Sequence, residues 1–173
     1  KTMPYFAREL GYEPALVGYT TTVPDPRVAH ANDPRFTTNT IASGWNIVRD
    51  FEGDRLHYLA WLSGKGYAIP GAYEDLFVPG PGREDDGRYA RSPVAAEHSE
   101  TAWCAEGARD YLRIRPSSPW FMHLGFFRPH PPFMAPAPYD RLVDPKDTLA
   151  PVGAATKEAE AAVHPLVRML LGT

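Results

Sequence analysis

The sequence predicts an α/β protein, part of an α/β sandwich with a mainly parallel sheet, on three observations. Residues 2–19 and 99–127 each read as a helix followed by an apolar strand, and two such αβ units place their strands parallel in one sheet. The second strand, residues 120–127, is a nearly unbroken apolar and aromatic run, the pattern of a strand covered on both faces. Between the two units, residues 23–98 are crowded with proline, glycine and Asn/Asp turn signals and read as a long, loop-rich insertion.

The elements follow in order. Thr2 caps a first helix that tolerates Pro4 in its opening turn, sets Met3, Phe6, Ala7 and Leu10 on one face, and stops at Gly11. Residues 15–19 are a short apolar strand with Thr20-Thr21-Thr22 at its carboxyl end, closed by Pro24 and Pro26. Within the insertion, residues 54–62 read as a short helix burying Leu56, Leu59 and Trp61 or Leu62, and Trp45, Trp61 and Tyr67 as its core. Residues 79–88 offer nothing apolar but proline and read as a surface excursion. Ser99 caps the longest helix, residues 99–115, with Trp103, Gly107, Ala108, Tyr111 and Leu112 on one face and Pro116 as its stop. After the second strand come a proline-rich loop, an irregular stretch to residue 154, and a helical pattern over 156–171 despite Pro165.

Composition bounds the partners. A net charge of −3 gives no reason to expect nucleic acid, and no apolar run approaches a membrane span. A single cysteine excludes an internal disulfide framework and fits a reducing compartment, so a cytoplasmic location is expected. The 19 prolines and 14 glycines point to shaped loops rather than disorder, because aromatic residues are plentiful and charge runs short.

The candidate chemistry sits where strands end. Pro129, Pro131 and Pro132 lack the backbone donor, so the second strand gives way to a stiff loop carrying Arg128 and His130. Ligands of open α/β sheets lie beyond the carboxyl ends of the strands, which places His130 well for catalysis. His123, mid-strand, reads as a hydrogen-bonded core histidine and Cys104, mid-helix, as a small packing residue. Arg27, Arg35 and Arg128 read as exposed or paired with neighbours such as Asp25 and Asp33 rather than as anion contacts.

Two stretches carry a family resemblance. The first is Leu10-Gly11-Tyr12-Glu13-Pro14-Ala15-Leu16-Val17-Gly18-Tyr19-Thr20-Thr21-Thr22 with Pro24-Asp25-Pro26-Arg27 and Asp33-Pro34-Arg35-Phe36. The second is Phe121 through Pro138, with His123-Leu124-Gly125-Phe126-Phe127-Arg128-Pro129-His130-Pro131-Pro132-Phe133-Met134-Ala135-Pro136-Ala137-Pro138. Together they resemble the sulfatase-like branch of the alkaline phosphatase superfamily, and within it the phosphonate monoester hydrolases. Most sulfatases carry Gly-Lys-Trp-His after the first strand; here Tyr19 stands in the lysine's place and Thr21 in the histidine's. Two cationic-capable groups thus become two neutral hydroxyl donors. Such a pocket suits a monoanionic centre, a phosphonate monoester or phosphodiester, better than a dianion. By the same resemblance His130 matches the family histidine that assists departure of the leaving-group oxygen.

The resemblance also implies parts that are not among these residues. Family members use a Cys-x-(Pro/Ala)-x-Arg cysteine oxidised to formylglycine and a divalent metal ion, Mn, Ca or Mg. Cys104 is followed by Ala105-Glu106-Gly107-Ala108 and is not that nucleophile, and no residues here match the metal ligands. The expectation is therefore a central portion of one sulfatase-like catalytic domain, truncated at both ends. By itself it would be inactive and prone to self-association, and the parent would be a homo-oligomer acting on a small-molecule ester. The rival expectation is a non-catalytic, proline-rich α/β module that binds a partner.

Overall fold

The computed structural model describes residues 2–20, 27, 30, 41, 44–77, 91–114, 117, 119–150 and 152–172. They fall into two compact units, Lys1–Asp140 and Arg141–Thr173. The first holds helix α1 (Met3–Glu9) and strands β1 (Glu13–Gly18) and β2 (Asn46–Asp50). It also holds helices α2 (Leu56–Gly64) and α3 (Glu100–Ile114) and strand β3 (Trp120–Gly125). The expected α/β class holds: the three strands form one parallel sheet in the order β2-β1-β3.

β1 is central because its side chains can go nowhere else. Ala15, Leu16 and Val17 are fully buried, and β1 pairs in register with β3 from Glu13↔Trp120 to Gly18↔Gly125. β2 was not legible as a strand. Asn46-Ile47-Val48-Arg49-Asp50 has two apolar residues and a bulged register, too little to set a period. It is held from the side by Arg49, whose Nη1 donates to the carbonyl of Trp103 at 2.5 Å and to Glu106 at 3.0 Å, while Nη2 reaches Asp110 at 3.3 Å. Gly107 leaves room for that side chain, since a Cβ there would run into Arg49 Cδ.

α3 packs against all three strands. Ser99 caps it as predicted, its Oγ accepting from the Ala102 N–H at 3.2 Å. Trp103, Gly107 and Ala108 are buried as the spacing required, together with Cys104 and Glu100, whereas Leu112 in the last turn is 38% exposed. The insertion supplies most of the core. Phe51 after β2, Tyr58, Leu59 and Leu62 of α2, and Tyr73, Leu76 and Phe77 of a 3-10 turn (Tyr73–Phe77) join Val17, Trp103 and Cys104 in one cluster. Leu56, expected inside, is exposed, and Trp61 and Tyr67 pack at the cluster's margin.

Two expectations for β3 are corrected. Among the described residues it is an edge strand, with Trp120, Leu124 and Phe126 exposed, so it is not covered on both faces. His123 is exposed as well and is not a core histidine; its ring lies tilted against Trp45 at 5.8 Å. The 79–88 excursion, Pro24, Asp25, Asp33, Arg35 and Pro116 lie outside the described residues.

In the second unit, Pro165 splits the predicted helix into α4 (Lys157–Val163) and α5 (Pro165–Leu171). Thr156 Oγ1 caps α4 by accepting from Ala159 N, and His164 Nδ1 caps α5 by accepting from Leu166 N, with Pro165 tolerated at the first helical position. Among the described residues no helix is long and apolar enough to cross a membrane.

Candidate active site at the carboxyl ends of the strands

The parallel strands end side by side, so the residues that follow them share one edge of the sheet. β1 delivers Tyr19 and Thr20, β2 delivers Phe51 and Glu52, and β3 delivers Phe126, Phe127 and Arg128. Close approach at this edge depends on two glycines that face each other in register, Gly18 and Gly125. Gly18 has φ +88°, and a Cβ on it would collide with the Gly125 carbonyl oxygen; a Cβ on Gly125 would collide with that of Tyr19. This spacing lets Tyr19 N–H donate to the Gly125 carbonyl at 2.8 Å and Phe51 N–H donate to the Gly18 carbonyl at 3.2 Å.

The side chains then converge on one ring. Tyr19 meets Phe127 edge-on, with centroids 4.9 Å apart, and His130 stacks on the same Phe127 at 4.4 Å with planes 23° apart. Two of the sequence-predicted site residues, Tyr19 and His130, are therefore brought to the same aromatic side chain although 111 positions separate them. The third, Thr21, lies outside the described residues; its neighbour Thr20 is fixed by a 2.5 Å bond from its N–H to Glu52 Oε1. His130 is exposed, and its Nδ1 sits 2.8 Å from the Pro131 carbonyl oxygen. A carbonyl only accepts, so Nδ1 carries the proton, and Nε2 can donate only when the ring is imidazolium.

Beside His130 opens a cleft of about 830 Å³ between the start of α3 and residues 128–136. Phe77, Phe133, Met134 and Tyr139 give it apolar walls, with Glu100 and Arg128 contributing charge. An organic group of modest size fits such a space.

Sequence reasoning missed two charged residues at this edge. Arg55, in the left-handed region at φ 57°, lays its guanidinium over Phe51, Tyr73 and Phe127, 4.7–5.4 Å from their centroids. Glu52 is 7% exposed, with Oε1 on Thr20 and Oε2 buried without a partner among the described residues. Burial pushes its carboxyl up to about 7, and nearby Asp50 adds to the rise, while the Thr20 N–H bond and Arg55 oppose it. The consequence for stability has a definite sign. Above pH 4.5 the unfolded chain releases this proton while the folded chain keeps it, so stability falls until the folded group also ionises near pH 7. The loss is about 2–3 kcal/mol at ~1.4 kcal/mol per pH unit. Glu52→Gln keeps an acceptor for Thr20 and removes the charge, so relative to wild type it should gain stability by this amount between pH 5 and pH 8. Urea unfolding at both pH values checks it, and an unchanged difference between the two proteins would show that Glu52 does not titrate in that window.

The groups that the family resemblance implies do not fit the residues present. Cys104 is buried mid-helix, and burial, with Glu100 nearby, pushes its thiol up to about 12, which leaves almost no thiolate near neutrality. Among the described residues no three His, Cys, Asp or Glu side chains come together to hold a metal ion.

Comparison with known proteins agrees with this architecture. No protein-family model matches the chain. It is 42% identical over 167 residues to the multifunctional alkaline phosphatase superfamily protein PehA of Trinickia caryophylli, a match covering 93% of the chain and 32% of PehA. Its fold is similar to the phosphonate monoester hydrolase of Agrobacterium radiobacter, with a TM-score of 0.82, 34% identity, and coverage of 98% of this chain and 33% of that one. It is also similar to the phosphonate monoester hydrolase SpPMH from Silicibacter pomeroyi, with a TM-score of 0.78 and 32% identity over 97% of this chain and 34% of that one. The chain thus spans about a third of the length of the relatives it matches. Sequence and fold together make the chain a homologue of about a third of PehA and similar to the corresponding part of two phosphonate monoester hydrolases.

Proposed function

We propose that these residues form one wall of the active site of a hydrolase of phosphonate monoesters or phosphodiesters. The observation that carries the reading is the placement of Tyr19 and His130 against Phe127, at the carboxyl ends of parallel strands. In this reading the hydroxyls of Tyr19 and Thr21 donate to the non-bridging oxygens of the ester, and His130 protonates the departing oxygen from Nε2 as imidazolium. The leaving group's organic part lies toward the apolar cleft beside His130. In this reading the nucleophile and any divalent metal would be held by protein outside these residues, the metal's chemistry there being charge stabilisation.

The charge logic is testable on the full-length protein that carries this segment. With one aryl leaving group throughout, a phosphonate monoester and a phosphodiester should be turned over with kcat/KM at least ~10-fold above the dianionic phosphate monoester, since neutral donors add no Coulombic preference for the second charge. A preference for the dianionic monoester would overturn the reading. Hydrolysis of none of the three would favour a non-catalytic binding module.

A further inference from the structure

Arg128 precedes His130 by two residues and would pass for an anion-binding group, but most of its donors are already spent on the protein. Its side chain is 17% exposed. Nε donates to Glu100 Oε1 at 2.5 Å; Nη1 donates to the carbonyls of His130 at 2.8 Å and Pro132 at 2.5 Å; Nη2 reaches the Tyr73 hydroxyl at 3.4 Å. Four of the five N–H groups of a guanidinium are thereby committed. Tyr73 O–H closes the network by donating to the same Glu100 oxygen at 3.1 Å, and the Phe77 ring lies 4.4 Å from the guanidinium carbon.

What the clamp holds is the frame of the imidazole. The two carbonyls it grips, those of His130 and Pro132, flank the Pro131 carbonyl that receives His130 Nδ1. That contact sets the tautomer, and the stack on Phe127 sets the ring plane. Glu100, the other end of the clamp, is 4% exposed and opens α3, which is rigidly seated by Trp103, Cys104 and Ala108 in the core. We propose that Arg128 and Glu100 are positioning residues for His130, tying its loop to α3, and do not bind the anionic group of the ester. This rests on the reading that His130 serves the leaving group.

Arg128→Lys tests it, because an ammonium keeps the charge opposite Glu100 but cannot make the forked bonds to both carbonyls. In the full-length enzyme it should lower kcat by roughly 10–100-fold for poor leaving groups, by much less for good ones, with little change in KM, and it should add nothing to His130→Ala. Glu100→Gln provides a second variant with the same readouts should Arg128→Lys fold poorly. A raised KM that is equal for all leaving groups and persists in the His130→Ala background would mean that Arg128 binds the anion, and the proposal would fall. NMR separates this from the reading beneath it. The ring-carbon protons of His130, shifted upfield by Phe127, should move toward ordinary values in Arg128→Lys while the melting temperature changes by only a few degrees. Unmoved His130 resonances would refute positioning whatever His130 itself does in turnover; moved resonances alongside an inert His130→Ala would leave the positioning intact and retire the leaving-group role.

Discussion

Replacing Gly125 by alanine is expected to cost the fold ~2–4 kcal/mol, counting ~1–3 for forcing atoms into packed space and ~1 for a lost backbone bond. The added Cβ would collide with the carbonyl oxygen of Tyr19, a backbone atom that cannot rotate aside. Relief requires β1 and β3 to part at the point where Tyr19 N–H bonds the Gly125 carbonyl. Gly18→Ala should cost more still, because its Cβ meets both the Gly125 carbonyl and Cys104 Sγ and its φ of +88° is strained for any L side chain. Gly64→Ala at the end of α2 is the control. A Cβ there meets nothing within 4 Å, so stability should hold or rise slightly. Equilibrium urea unfolding of the three variants decides the matter, and a Gly125→Ala loss below ~1 kcal/mol would show that the strand ends are not so tightly opposed. Any parting of these ends also moves Tyr19 relative to Phe127, so the glycine pair bears on the site as much as on the sheet.

The sequence disclosed those parts of the fold that local pattern determines. β1, β3 and α3 were legible because an apolar run, a cap and a helical spacing each point one way, and Ser99, Trp103, Gly107 and Ala108 sit where that logic put them. β2 was not, since Asn46-Ile47-Val48-Arg49-Asp50 becomes a strand through pairing with β1 and through Arg49's bonds to α3, both long-range. The double cover expected for β3 failed for a related reason. Continuous hydrophobicity states what a strand can bury, not which neighbours are present, and His123 was misplaced with it.

The site was legible unevenly. Tyr19 and His130 came from a family resemblance, and the structure sets both against Phe127. The charged residues behind them were invisible. Glu100 reads as an acid favouring a helix start, yet in the fold it is the buried partner of Arg128, 28 positions away. Arg128 itself read as exposed or paired with a neighbour; it is paired, but with a distant and buried carboxylate. The one local signal for Glu52 and Arg55 was the cluster Phe51-Glu52-Gly53-Asp54-Arg55, which announces a turn and nothing about burial.

On the proposed reading, the largest functional effect is expected at His130. Removing a group that protonates a leaving oxygen costs roughly 10²–10⁴-fold where the leaving group needs the proton, and far less where it departs unaided. Because Nδ1–H is held by the Pro131 carbonyl, the donor left to face the leaving group is Nε2 of the imidazolium. The most direct measurement is kcat/KM of the full-length protein that carries this segment, and of its His130→Ala variant, over a series of aryl phosphonate monoesters of graded leaving-group pKa. A steeper dependence on leaving-group pKa in the variant, with the two lines converging at the best leaving groups, is the predicted result. Parallel lines, the same loss for every leaving group, would contradict it and assign His130 to binding instead.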